Sequence, residues 1–372
     1  MFIKQLSLTT FRSYTNLELD LTPGISIFIG RNGEGKTNII EAVLYLSFLS
    51  SHRVSTDQPL VQLGNTAAYI RAKTQIPDRE VLVELEINNN KANRARINQN
   101  QVRSQKEIFG IVQAIYFSPE DLDLVRGDPS ERRKFIDQLL ILRSPRIAGI
   151  ISDYERALRQ RNSLLKSRAG AESLHAWDEQ VANFGGEIIA ARLQTLQDFE
   201  PIFQEIYKKI SAEKPAFIKY KTNIEEPSFN AEINKTKILE RMRTTHTAEI
   251  ERGLTLSGPH RDDLLLNLGN HLVKGYASHG ESWSIALSLK LATYQLLKND
   301  GLEPILILDD VFSELDEERR SHLIELANSA KQTFITVAVE NDLPKELTGV
   351  KYLVKSGSVT KISLPLNSKE GD

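Results

Sequence analysis

The chain has 372 residues, no cysteine and a formal net charge of −2 at pH 7. That length exceeds one ordinary domain and predicts two sharing one polypeptide. No apolar stretch approaches the ~18 residues of a membrane span and no charged-then-apolar export signal opens the chain, so a soluble, cytoplasmic protein is expected. The near-neutral charge excludes a global nucleic-acid signature, leaving only local basic patches for such contacts.

The first informative element is an apolar run, Gly24-Ile25-Ser26-Ile27-Phe28-Ile29, that reads as a buried strand. It leads into Gly30-Arg31-Asn32-Gly33-Glu34-Gly35-Lys36-Thr37, and helical periodicity follows in Asn38-Ile39-Ile40-Glu41-Ala42-Val43-Leu44. A Gly-rich loop between strand and helix is a P-loop in its required setting. Glycine lets the backbone wrap until successive N–H groups point at phosphate oxygens, and the helix start adds positive dipole there. Lys36 is expected to reach the β- and γ-phosphates, Thr37 to ligate Mg2+, and residues 30–38 together to hold the nucleotide.

Basic residues then cluster around Asn-rich, hairpin-like sequence: Lys91, Arg94, Arg96, Arg103 and Lys106. From about residue 119 to 250 helical periodicity takes over. Leu174, Trp177, Val181, Phe184, Ile188 and Ala191 form one apolar seam, and Phe199, Phe203, Ile206 and Ile210 form a second after a phase shift. These seams fit a short arm folded antiparallel against 147–165, whose helix carries Arg156, Arg159, Arg161, Lys166 and Arg168 as a second basic cluster. Either cluster equally fits a solvated surface. In Gly258-Pro259-His260-Arg261-Asp262-Asp263, the His-Arg pair can sense nucleotide or tie lobes together, and the aspartates suit a structural ion-pair network.

Ser278-His279-Gly280-Glu281, followed by the apolar-periodic Ser282 to Ala292, looks like an ABC-type signature at a helix start. A Ser-capped amphipathic helix would carry the same residues, but the order relative to the P-loop favours a signature. Next, Pro304-Ile305-Leu306-Ile307-Leu308 is a continuous apolar strand ending in Asp309 and Asp310, which reads as Walker B. Such strands belong in parallel sheets whose C-terminal edge receives ligands. Asp309 is expected to hold Mg2+ through water and Asp310 to polarise the attacking water. Asp316, just beyond, is expected to govern contact between protomers. Thr333 to Glu340 lacks the switch histidine common in this class, which predicts slow hydrolysis, with Glu340 or Asn341 at the sensor position. The tail 367–372 reads as disordered.

The split motifs, together with Leu6-Ser7-Leu8-Thr9-Thr10-Phe11-Arg12-Ser13-Tyr14, Tyr116-Phe117-Ser118-Pro119-Glu120-Asp121-Leu122, Arg132-Arg133-Lys134-Phe135-Ile136-Asp137 and Ser257-Gly258-Pro259-His260-Arg261-Asp262-Asp263-Leu264, resemble the RecF family of SMC-like ABC-type ATPases. The resemblance implies an α/β ABC/SMC-like P-loop ATPase head, split between N- and C-terminal parts, with an inserted mainly helical lobe. The head is expected over 1–118 plus 251–366 and the helical arm over 119–250. Arg12 and Tyr14 are expected beside the nucleotide, and Ser278, Gly280 and Glu281 on the nucleotide of a second protomer. The implied function is ATP-gated homodimerisation on double-stranded DNA and single-strand/double-strand junctions. With RecO- and RecR-like mediators this promotes RecA loading in recombinational repair, replication restart and the SOS response, and weak ATP hydrolysis acts as release. One departure is visible: family signatures carry glutamines and an arginine after the glycine, where Glu281-Ser282-Trp283 stands here. A transporter-type ATPase would show a docking subdomain for membrane partners, an SMC architectural protein hundreds of heptad residues, and a small-molecule kinase no use for the signature helix.

Overall fold

The computed structural model describes residues 1–168, 171–211 and 214–362, so the tail 367–372 lies outside the described residues. Contacts divide the chain into a unit of Met1–Pro119 with Gly301–Asp372 and a unit of Glu120–Asp300. The first unit opens with β1 (Phe2–Phe11), β2 (Tyr14–Asp20), β3 (Gly24–Ile29), α1 (Lys36–Phe48), β4 (Ala67–Ile76), β5 (Arg79–Asn88), β6 (Arg94–Ile97), β7 (Asn100–Gln101) and β8 (Ala114–Phe117). The second contains α2 (Asp123–Arg126), α3 (Pro129–Arg143), α4 (Ile147–Lys166), α5 (Ala171–Ile210), β9 (Ala216–Lys221), α6 (Ala231–Arg252), β10 (Asp263–Leu268), β11 (His271–Leu272) and α7 (His279–Asn299). The chain returns to the first unit with β12 (Ile305–Asp309), α8 (Glu317–Ser329), β13 (Gln332–Val337), β14 (Val350–Lys355) and β15 (Ser358–Lys361).

Two sheets build the first unit, one in the order β2-β1-β4-β5-β6-β7 and one in the order β15-β14-β3-β13-β12-β8. The former is antiparallel, and β5 shows why: Val81, Val83, Leu85 and Ile87 are buried while Glu80, Glu84 and Glu86 face outward. Period-two burial is what a sheet with one wet face requires. In the latter, β14, β3, β13, β12 and β8 are parallel, and every residue of β12 and β13 is buried. Apolar side chains of both sheets meet those of α1 in one core that includes Phe28, Ile40, Ile70, Ile307 and Phe334.

In the second unit α4 and α6 pack against α5, and the two expected seams belong to one continuous helix despite Pro201 within it. Gly186 explains how closely the helices approach, because a Cβ there would lie 2.4 Å from the Ala231 carbonyl oxygen of α6. The stretch 251–300 groups with this helical unit, not with the head to which the sequence assigned it. Strand pairing is the reason: Asp263 to Leu268 of β10 lies antiparallel to Lys221 to Ala216 of β9.

Buried ion pairs also bind that stretch in. Arg192 donates to both carboxylate oxygens of Asp137 at 2.9 Å and to the Pro259 carbonyl at 2.9 Å, while Arg132 donates to Asp263 at 2.7 and 3.0 Å. Arg161, only 1% exposed, donates to Asp178 at 2.6 Å, Glu249 at 2.7 Å and Thr255 at 2.8 Å. It therefore leaves the exposed basic cluster in which its spacing placed it. His260 lies between the Tyr154 hydroxyl at 2.6 Å and the Thr255 carbonyl at 3.1 Å, so the Gly-Pro-His-Arg-Asp-Asp run is an organising element of its own unit.

Burial lowers the His260 pKa from 6.5 to about 4. Between those values the unfolded chain holds more protons than the folded one, so this contribution to stability is present above 6.5 and lost as pH falls towards 4. Urea unfolding of the wild type is expected to lose up to about 3 kcal/mol across that window relative to His260→Gln. Parallel pH profiles for the two proteins would remove this assignment.

Candidate nucleotide site and signature helix

Gly30 follows β3 at a point where a Cβ would lie 2.4 Å from the Val354 carbonyl oxygen of β14, so the loop leaves the sheet where only glycine fits. Gly33 and Gly35 have φ of 87° and 116°, a region open to glycine and costly to other residues. The Tyr14 hydroxyl donates to the Gly35 carbonyl at 3.1 Å and braces the loop. Helix α1 then begins with no side-chain cap and no acidic residue in its first turn, whereas α6, α7 and α8 are capped by Asn230, Ser278 and Asp316. Uncapped N–H groups at a helix start suit a phosphate, and because α3 and α4 also start without a side-chain cap, the fit to a nucleotide rests on the uncapped start of α1 together with the left-handed glycines that lead into it.

Lys36 is 3% exposed, and its Nζ donates to the Gly30 carbonyl at 2.7 Å and to Asn32 Oδ1 at 3.4 Å, with Asp310 Oδ2 at 3.8 Å. The structure thus brings together the P-loop lysine and the carboxylate that ends the distant Walker B strand. Thr37 is half-buried in the first turn, and Arg31 at the loop tip is exposed. Glu34 turns away, its carboxylate accepting the Ser356 N–H.

Asp309 is buried, accepting from the Tyr116 hydroxyl at 3.0 Å through one oxygen and from the Thr336 hydroxyl through the other. Asp310 adopts a left-handed backbone, φ 50°, with its N–H shared between the Thr336 carbonyl at 3.2 Å and hydroxyl at 3.1 Å. Burial raises the Asp310 pKa, Lys36 opposes the shift, and Asp309 and Asp342 add to it. A carboxylate made more basic in this way suits proton abstraction.

Arg12 is committed differently from its expected role. Its Nε and Nη2 donate to Glu41 at 2.8 and 2.6 Å, and its Nη1 to the Pro59 carbonyl at 3.0 Å. Glu41 is fully buried and also accepts from Ser51 at 2.5 Å, with Arg53 3.7 Å away. Asn38 bridges Ser13 at 2.9 Å and Arg53 at 3.1 Å, and these side chains line an open cavity beside the start of α1. Tyr116, Thr336, Glu41 and Arg53 were not singled out by sequence as site residues. A tyrosine inside an otherwise aliphatic and aromatic strand marks Tyr116, whereas Thr336 shares its strand with Gln332 and Thr333 and carries no such signal.

The signature belongs to the second unit. Ser278 is the exposed N-cap of α7, accepting from the Glu281 N–H at 3.1 Å, while the Glu281 carboxylate accepts the Ser278 N–H at 2.8 Å. Glu281 also meets Lys214 at 3.0 Å, and its pKa is lowered first by the Ser278 backbone bond. Read from sequence as a nucleotide ligand, Glu281 is here half of a capping box. Gly280 lies in the first turn of α7, between the two members of the capping box, and adds no side chain there. Asp316 caps α8 by accepting the Arg319 N–H at 2.9 Å, and Glu340 pairs with Lys351. Of the basic clusters, Arg156 and Arg159 pair with Asp153 and Glu155, whereas Lys91, Arg94, Arg96 and Arg103 are exposed with no carboxylate within 4.0 Å among the described residues.

The pattern of the RecF/RecN/SMC N terminal domain family matches residues 2–358. The DNA replication and repair protein RecF of Streptomyces avermitilis is 46% identical, covering 97% of this chain and 100% of that protein. That of Frankia alni is 45% identical, covering 98% and 100%. Among solved structures, the recombination mediator protein RecF with ATP, of the RecFOR pathway, superposes with a TM-score of 0.89 at 27% identity, covering 97% of this chain and 98% of that one. An Smc head bound to the C-winged helix domain of ScpA gives 0.57 at 17% identity, with 99% and 98% covered, a likeness of fold alone. This chain belongs to the RecF family of DNA replication and repair proteins and has the ABC/SMC-like head fold.

Proposed function

We propose that the protein binds ATP and Mg2+ at the P-loop and dimerises around two nucleotides, closing on duplex DNA next to single-strand gaps. The observation that carries this reading is the meeting of Lys36 with Asp310, 3.8 Å apart at the uncapped start of α1. Lys36 and the N–H groups of residues 33–37 bind phosphate, and Thr37 and Asp309 hold the metal. Asp310 takes a proton from the attacking water. Mg2+ held there neutralises charge on the β- and γ-phosphate oxygens. Ser278 and Gly280 of a second copy complete the site, so ATP shifts the equilibrium through contacts made only in the closed dimer. Slow hydrolysis releases the clamp.

The reading extends to a cytoplasmic role with RecO- and RecR-like mediators in promoting RecA loading, of which similarity to the recombination mediator protein RecF of the RecFOR pathway supports the mediator part. For DNA the exposed, unpaired Lys91, Arg94, Arg96 and Arg103 are favoured over the arm cluster, where Arg161 is buried, Arg156 and Arg159 are paired, and only Lys166 and Arg168 stay exposed without an ion pair among the described residues. Phosphate contacts of this kind carry no sequence preference and steep salt dependence, which suits binding at damage anywhere.

Sedimentation velocity with gapped duplex DNA tests the proposal. An ATP-dependent dimer on DNA is expected for the wild type, absent in Lys36→Met and Ser278→Arg. A monomer indifferent to ATP and DNA would sink it.

A further inference from the structure

Strand β12 lies between β8 and β13, all three parallel, with Tyr116 opposite Ile307 and Thr336 opposite Asp309. Ile307 and Asp309 point to the same side, two residues apart, so a tyrosine leaning along the strand from the Ile307 row reaches the Asp309 carboxylate. It does so at 3.0 Å, with its ring packed on His52 at a centroid distance of 4.7 Å. From the other flank Thr336, fully buried, spends its one hydroxyl proton on the second Asp309 oxygen and accepts the Asp310 N–H at 3.1 Å.

We infer that Tyr116 and Thr336 are positioning residues that preset Asp309 for a divalent cation and fix Asp310 behind it, an inference that rests on the nucleotide reading. A carboxylate has about four acceptor sites; two are filled by hydroxyl donors from the two flanking strands, which locks its rotamer. Thr336 does more than Tyr116, because the same oxygen holds the peptide between the two aspartates, where Asp310 keeps a left-handed φ of 50° at a cost in backbone strain. The chain has no histidine at the end of β13, and this buried threonine couples that strand to the Asp309 carboxylate and to the Asp310 backbone N–H.

The test uses Mn2+ as the visible cation, titrated by electron paramagnetic resonance against the full chain with saturating ATP. Tyr116→Phe and Thr336→Val are expected to weaken Mn2+ binding about 10-fold, the usual effect of removing an outer partner of a ligand. Thr336→Ser is expected to restore it, and the affinity for a fluorescent ATP analogue in EDTA to stay unchanged in all three. Unchanged Mn2+ affinity in Tyr116→Phe, which deletes a single oxygen, overturns the role of Tyr116 even if Thr336→Val fails to fold. Failure of Thr336→Ser to rescue overturns the hydroxyl role of Thr336. Wild-type protein that binds no ATP in EDTA or with Mn2+ overturns the nucleotide reading itself, and this assignment with it.

Discussion

Arg161→Ala is expected to destabilise the helical unit by about 3 to 5 kcal/mol, the range for removing one partner of a buried ion pair. The guanidinium ties α4 to Asp178 on α5, to Glu249 on α6 and to Thr255 beyond it. Its removal strands Glu249, which is fully buried and whose other oxygen accepts the Leu256 N–H at 2.7 Å. Urea unfolding followed by tryptophan fluorescence reads this unit selectively, because the chain's two tryptophans, Trp177 and Trp283, both lie within it. Arg159→Ala is the control: its exposed pair with Glu155 at 3.8 Å is worth under about 1 kcal/mol. An Arg161→Ala protein within about 1 kcal/mol of wild type would show that the network contributes little beyond apolar packing. Loss of DNA binding in Arg161→Ala is to be read as loss of fold, since the side chain is buried.

Arg161 also marks where sequence reading stops. Glu249 and Thr255 lie 88 and 94 residues away, and nothing local distinguishes this arginine from exposed Arg156 and Arg159 on the same helix. The P-loop is different, because its chemistry is contiguous: strand, glycines, lysine and helix follow one another, so the spacing alone predicts β3 and α1. Walker B was legible for a related reason, since an unbroken apolar run, Ile305 to Leu308, before two carboxylates fits a strand buried on both faces. The boundary near residue 250 was read from the fading of helical periodicity. The partner of β10 is β9, which no composition reveals, and that pairing moves the signature helix into the helical unit. Arg12 and Glu281 were legible as candidate site residues, but the protein groups that hold them were not. One is held by a buried glutamate in the P-loop helix and the other by its own helix end.

Asp310→Asn is expected to retain ATP, to lower turnover by about 10²- to 10⁴-fold and to leave dimers closed on DNA. Asparagine keeps the shape and an oxygen for Lys36 but cannot accept a proton as a carboxylate does. Burial raises the Asp310 pKa, so turnover in the wild type should fall on acidification at a higher pH than an unperturbed aspartate would give, as the ionised base is lost. Lys36 works against that shift from 3.8 Å, and a phosphate that engages the ammonium would relieve the opposition and make Asp310 a stronger base when substrate is present. The two carboxylates sit in different environments: Asp309 accepts from Tyr116 and Thr336, and Asp310 faces Lys36, which fits the proposed division between a metal ligand and a base. Single-turnover measurements across pH decide the matter. Unchanged turnover in Asp310→Asn, or an acidic limb that survives the substitution, would assign the base to another group and leave Asp310 as a partner of Lys36.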